Sequence, residues 1–323
     1  MANPPTRPRP PADAMTVFDR AAVRAHRRRV AGGGGADDQG GRLFREVALR
    51  LGERLEAVRR FFPRALDLGC HGGALARVLA GRVGSELMVH ADLAPGFAAR
   101  ARAASGGAGV VADEEMLPFA PDSFDLVASN LDLHWVNDLP GALIQIARAL
   151  RPDGLFLAAM LGGRTLAELR EALLAAELEG EGGAGPRVSP FADVQDAGAL
   201  LQRAGFALPV VDRDTIAVAY DDALALMRDL RAMGETNAVA GRRRGFSRRA
   251  TLLGAAALYQ ERFAASDGRV HATFDVIYLT GWKPDASQPR ALRPGSAWHR
   301  LADALGTTEH DAGDRAPMPK RKS

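Results

Sequence analysis

Apolar runs punctuated by glycine or an acid recur along the chain, and stretches with helical spacing separate them. That alternation predicts a parallel α/β domain. Leu43 to Phe62 has the pattern of an amphipathic helix, which Pro63 stops. Strands are predicted at Ala65–Leu68, Glu86–Asp92, Ala108–Ala112, Phe124–Asn130, Leu155–Leu161, Leu208–Val218 and Val270–Trp282, the last alternating and aromatic. Helices are predicted at Ala74–Ala80, Leu139–Leu150, Thr165–Glu179, Val194–Ala204, Ala223–Met233 and Ala250–Ala264. Arg151-Pro152-Asp153-Gly154 halts the second of these helices. The expected architecture is a Rossmann-like, mostly parallel seven-stranded sheet with helical additions at the N-terminus and before the last strand. The helix pair before that strand either covers the ligand crevice and excludes water or forms a surface hairpin.

The chemistry gathers where strands end. Ala65-Leu66-Asp67-Leu68 runs into Gly69-Cys70-His71-Gly72-Gly73 and then a helix. Open α/β sheets bind nucleotides past the carboxyl ends of their strands, where glycines let the backbone approach the ligand. Asp92 ends the second strand at the distance where a ribose hydroxyl acceptor is expected, and Asp113 follows the third. Together these ends point to an adenosine-containing ligand. A dinucleotide site needs G-x-G-x-x-G to seat a pyrophosphate at a helix N-terminus. This turn opens with Asp67 instead, and lacks the lysine or serine of a P-loop. A carboxylate at the mouth repels a pyrophosphate and suits a cation, so S-adenosyl-L-methionine, with its sulfonium and ammonium groups, fits better than NAD.

Composition narrows the setting. Apolar content is ordinary for a globular protein with a core, and no apolar run is long enough to span a bilayer. Residues 1–14 are proline-rich, predicted to be disordered, and without the apolar region of a secretory signal; Met15 is a candidate start. Gly32 to Gly35 is a flexible break. Residues 15–284 are expected to form one domain, and 285–323 a flexible tail. The only cysteine, Cys70, excludes an intrachain disulfide and reads as a small buried side chain; a reducing, cytoplasmic setting suits it. Heavy use of Ala, Arg, Gly and Pro suggests a GC-rich bacterial genome. The arginine runs Arg27-Arg28-Arg29, Arg242-Arg243-Arg244 and Arg248-Arg249 read as solvated faces. Aromatic residues do not interleave with them as a stacking platform requires, so no nucleic acid partner is expected. No metal site is expected.

Asp67-Leu68-Gly69-Cys70, Asp92, Asp113, Ser123-Phe124-Asp125-Leu126-Val127 and Leu150-Arg151-Pro152-Asp153-Gly154 resemble the ordered motifs of class I S-adenosylmethionine-dependent methyltransferases, over roughly residues 65–160. A narrower resemblance runs from Met15 to Pro284. It rests on Met15-Thr16-Val17-Phe18-Asp19-Arg20, Ala112 to Phe119, Leu133 to Pro140, Arg231 to Asn237 and Thr280-Gly281-Trp282-Lys283. These are similar to the complex I assembly factor 5 family, to which hydroxylation of an arginine in a quinone-proximal complex I subunit is assigned. A more distant resemblance is to malonyl-acyl-carrier-protein O-methyltransferase, which shares the core and the Leu-His-Trp stretch.

The resemblance implies roles. Asp67 and Gly69 line the methionine end of the cofactor, and Gly73 lets the turn approach it. Asp92 accepts both ribose hydroxyls, and Asp113 accepts from the adenine amino group with Glu114 beside it. Asn130 ends the fourth strand where the sheet faces the transferable methyl. His134, in the loop that meets the substrate, is a candidate general base or a packed histidine with Trp135 closing the crevice. His71 replaces the usual middle glycine of the turn; it either weakens cofactor binding or faces solvent at the rim. Oxygen insertion into a C–H bond normally needs a metal or flavin. His90-Ala91-Asp92 has a suggestive ligand spacing, but Asp92 is already the ribose acceptor. The implied partner is a protein, a respiratory complex I subunit, with peripheral membrane association through that partner. A carboxylate O-methyltransferase and a non-catalytic assembly chaperone are the alternatives.

Overall fold

The computed structural model describes residues 16–33, 41–181, 183–289 and 301–308. The disordered segment expected over residues 1–14 lies outside them, as does most of the expected tail. Contacts divide the chain into two compact units, Met1–Asp285 and Ala286–Ser323. The second contributes one short described helix, Leu301–Leu305.

The first unit is built on seven strands: β1 (Arg64–Leu68), β2 (Leu87–Asp92), β3 (Ala108–Val111), β4 (Phe124–Asn130), β5 (Leu150–Gly162), β6 (Ala207–Tyr220) and β7 (Val270–Trp282). Their order across the sheet is β3-β2-β1-β4-β5-β7-β6. β1 pairs in parallel with both β2 and β4, while β7 runs antiparallel between β5 and β6. This is the expected mostly parallel, Rossmann-like sheet. The chain leaves β1 in one direction for β2 and β3, and in the other for β4 and β5. A crevice therefore opens at the carboxyl ends of β1 and β4.

Both faces of the sheet are covered. On β5, Leu155, Leu157, Ala159 and Leu161 join one apolar cluster, and Phe156, Ala158 and Met160 join another. The first cluster takes in helices α2 (Gly41–Glu56), α3 (Ala74–Leu79), α6 (Ala167–Glu181), α8 (Ala223–Met233) and α9 (Arg249–Phe263). The second takes in α5 (Leu139–Ala149) and α7 (Val194–Arg203). A strand buried on both sides must be apolar at successive positions, which is why β5 reads as a continuous run.

Three expectations need correction. The helix expected to reach Phe62 ends at Glu56. Pro63 disfavours helix at the residue before it, and Phe62 is buried in the core instead. The helix does halt before Arg151, at Ala149, but Arg151 to Gly154 are already part of β5, which was expected to start at Leu155, with Asp153 at φ 60°. The third is an additional helix, α1 (Arg20–Gly32), capped by the Asp19 carboxylate, which accepts from the Ala22 amide. Its inward residues are Val23 and Arg27, so no apolar stripe announces it.

Phe274→Ala, at a fully buried core position of β7, is expected to cost about 3–5 kcal/mol in urea unfolding. Leu178→Ala, on the exposed side of α6, should stay within about 0.5 kcal/mol of wild type.

Candidate cofactor and acceptor site

The turn after β1 is held against β2: the Gly69 and Cys70 amides both donate to the Ala91 carbonyl, at 2.8 and 3.0 Å. Gly69 sits at φ +67°, and a Cβ there would overlap the Asp132 carboxylate. Gly73, at φ +78°, starts α3, and a Cβ would stand 3.0 Å from Ala101 Cα of α4 (Pro95–Ser105). Both glycines are therefore required by close approach as well as by backbone angle. His71 adopts φ 44°, the left-handed region. It does not face solvent. Its ring is buried between Phe44 (centroids 4.6 Å apart) and Phe97 (5.4 Å), and burial holds its pKa well below the usual imidazole value.

A cavity of about 410 Å³ opens here, lined by Phe44, Cys70, His71, Gly72, Phe97 and Asn130 among others. Burial pushes the Cys70 thiol well up, so it is a neutral wall rather than a nucleophile. Asn130 donates from Nδ2 to the Phe44 carbonyl at 3.0 Å. Asp67 does not line the cavity surface. It faces its register partner on β2, His90, with Oδ2 3.2 Å from Nδ1. Burial raises the Asp67 pKa, and His90 partly offsets this. The other ring nitrogen of His90 faces Ser105 Oγ and the Gly106 carbonyl, at 2.9 and 3.1 Å; among the described residues no three His, Cys, Asp or Glu side chains group as metal ligands.

The acids expected at the adenosine end do converge, but α1 covers them. Asp92 accepts from the Ala94 amide (2.8 Å) and the His71 amide (3.1 Å). Burial raises its pKa to about 6 against the pull of Arg27, which lies 3.6 Å away. Arg27 is only 2 % exposed, so it is not part of a solvated run. It pairs with Glu114 at 3.2 Å and with Asp132. Arg20 pairs with Asp113 at 2.6 Å and also with Glu114, and Arg24 reaches Asp113 at 3.5 Å.

The residues fit S-adenosyl-L-methionine at its cationic end. Asp67 Oδ1, Asn130 Oδ1 and Asp132 Oδ2 are buried acceptors without a hydrogen-bond donor, all at the carboxyl ends of β1 and β4. Unsatisfied buried acceptors are costly; an ammonium group offers the donors they lack, and a sulfonium adds positive charge beside them.

A second space begins beyond β4. In the short helical turn Leu133–Trp135, His134 Nε2 lies 3.0 Å from Glu235 Oε2. The Leu161 amide points at Nδ1 from 3.5 Å, which assigns the ring proton to Nε2. Both nitrogens are thus engaged, the arrangement of the packed histidine. Trp135 Nε1 also donates to Glu235, at 3.0 Å. Trp135 and Glu235 line a cleft of about 630 Å³ with apolar walls that include Leu161, Phe191, Met227 and Leu252. Helices α8 and α9 form part of those walls, so the inserted pair is more than a surface hairpin. The mouth carries Arg187, Arg228, Arg231, Arg242 and Arg243.

Arg20, Arg27, Asp132 and Glu235 were not singled out from the sequence as site residues. Asp132 carried a signal, an acid between Leu131 and Leu133 just past a strand end. Arg27 carried none, because its neighbours are also arginines.

Removing the Arg27 charge strands Glu114, Asp132 and Asp92 in the interior. Arg27→Met is expected to destabilise the protein by about 3–5 kcal/mol in denaturant unfolding, and a cost under about 1 kcal/mol would contradict the pairing.

Residues 66–158 match the family described as a methyltransferase domain. The chain is 46% identical over 261 residues to arginine-hydroxylase NDUFAF5, mitochondrial, of Danio rerio, covering 81% of each protein. Against the human protein of the same name it is 46% identical over 256 residues, covering 79% of this chain and 74% of the relative. It is 38% identical over 295 residues to malonyl-[acyl-carrier protein] O-methyltransferase of Methylovorus, covering 88% and 96%. Among solved structures, the fold is shared with a putative methyltransferase of Bacillus halodurans at a TM-score of 0.51 and 18% identity, covering 74% of this chain and all of that one (100%).

Proposed function

This chain belongs to the S-adenosylmethionine-dependent methyltransferase family that includes arginine-hydroxylase NDUFAF5, and on that premise we propose that it modifies an arginine side chain of a respiratory complex I subunit during assembly. The observation that carries the reading is Glu235, a carboxylate on the wall of an apolar cleft, held by His134 and Trp135. Oε2 already accepts from His134 and Trp135, so a guanidinium entering that cleft meets the carboxylate charge and the remaining acceptor capacity of Oε1.

The bound cofactor supplies an electrophilic methyl on a sulfonium sulfur. In our reading Gly69, Gly73 and Asn130 hold its methionine end with the free Oδ1 of Asp67 behind them, Asp92 accepts from the ribose, and Asp113 and Glu114 flank the adenine. Alignment and exclusion of water are what the protein adds to methyl transfer. His134 then acts by orienting Glu235 rather than as a free base. The bacterial cytoplasm is the proposed setting.

A second reading has its own support. Arg228 and Arg231 stand at the cleft mouth without an ion pair among the described residues, and they favour an anionic, carrier-bound acyl acceptor. Peptide mass spectrometry of complex I from a deletion strain and its complement separates the two. Loss of one oxygen or one methyl from a subunit arginine in the deletion supports the first reading. An unchanged arginine, with rescue of a biotin-requiring strain by this gene, supports the second.

Two further outcomes are expected. Asp92 accepts ribose hydroxyls best as a carboxylate, and its pKa in the free protein is raised to about 6. Cofactor affinity by calorimetry should therefore rise between about pH 5 and pH 7.5, by up to tenfold per unit below about 6, and Asp92→Asn should flatten the profile. Glu235→Gln should leave cofactor affinity intact but weaken binding of an arginine-bearing acceptor peptide about a hundredfold. Unchanged peptide affinity would remove Glu235 from the acceptor site.

A further inference from the structure

The segment between Glu235 and Glu261 contains no acidic residue, yet it holds Arg242, Arg243, Arg244, Arg248 and Arg249. In their midst stands Phe246. Its ring is 103 % exposed, the most exposed large hydrophobic side chain among those described. The loop under it is anchored. Arg242 donates to the Val239 carbonyl at 2.9 Å, and Arg242 and Arg244 share the single Asp19 carboxylate at 3.2 and 3.4 Å. Arg187 braces it from below, donating to Ser247 Oγ at 2.6 Å. Two arginines on one carboxylate leave the surface cationic. Arg248 and Arg249, both exposed at the start of α9, have no ion pair among the described residues.

We propose that the Arg242–Arg249 loop docks the protein on an anionic lipid bilayer, with Phe246 inserted among the acyl chains. A fully solvated aromatic ring on an anchored, glycine-preceded loop gains free energy when an apolar partner covers it. Five arginines around it match a negative surface, where each basic group contributes to binding. A single ring makes no stacking platform, which disfavours nucleic acid. No described helix is long and apolar enough to cross a membrane.

The position of the loop gives the contact a purpose. Arg242, Arg243 and Ser247 belong both to the loop and to the lining of the 630 Å³ cleft, where Arg228 and Arg231 extend the same positive surface and Arg187 is paired with Glu177. Docking by Phe246 therefore turns the cleft mouth toward the bilayer. An acceptor lying at the membrane surface reaches the cleft without crossing bulk water. This goes beyond the choice of acceptor and does not depend on the cofactor.

Sedimentation of the full chain with vesicles tests it, in the absence of cofactor. Phosphatidylcholine vesicles containing phosphatidylglycerol should carry the protein down, and pure phosphatidylcholine should not. Added salt should release it. Phe246→Ser and the double change Arg248→Glu with Arg249→Glu should each lower the partition coefficient, the latter by about fivefold per arginine removed or more. Acids in the first turn of α9 suit its dipole, so this variant is expected to fold. Calorimetric titration with S-adenosyl-L-methionine should be unchanged in both, which separates failure of this proposal from failure of the cofactor site. Equal binding to both vesicle types, binding to neither, or variants that sediment like wild type would overturn it. So would duplex DNA binding as strong as vesicle binding and lost in the same variants.

Discussion

The interior of the crevice depends on one charge balance. Asp92, Glu114 and Asp132 arrive from three different strand ends, and all are buried. Three carboxylates cannot share a dry space without cations, because burial and mutual repulsion both penalise the ionised form. Arg27 supplies the central positive charge, and Arg20 a second that ties Glu114 to Asp113. Burial raises the pKa of Asp92 even with Arg27 beside it.

The sheet explains why these acids meet at all. Parallel strands leave their carboxyl ends on one edge, and the reversal of direction between β1 and β4 parts the loops above them. Gly69 lies against Asp132 across that gap. Any side chain in place of this hydrogen would push β1 and β4 apart. The glycine of the turn is therefore a packing requirement between two strand ends before it is a ligand contact.

Most of the sheet was legible in the amino-acid pattern because strands buried on both faces show as unbroken apolar runs. The glycine turn and the acids at Asp67, Asp92 and Asp113 were legible because polar groups at apolar strand ends stand out. What was not legible is helix α1. Its buried face is made by an arginine, and a buried arginine has the same letter as the solvated ones beside it. The position of His71 was misjudged for a related reason. Its backbone angle could be argued from the turn, but Phe44 and Phe97 reach it from distant segments. Glu235 likewise joins His134 only through the fold, across a sequence separation of 101.

Those distant contacts also bind three regions into one unit. The segment leading into α1 is fixed by Asn137, whose Oδ1 accepts from the Val17 and Phe18 amides at 2.9 and 2.7 Å. Phe18 stacks edge-on against Trp135, the residue that shares Glu235 with His134. Asp19 holds the arginines of the loop at the cleft mouth, and Arg20 holds the acids of the cofactor crevice. Four consecutive residues, Val17 to Arg20, thus link Trp135 at the cleft, the basic loop and the acids Asp113 and Glu114. A shift of α1 that frees Asp113 and Glu114 must also strain the Trp135 contact and the Asp19 anchor.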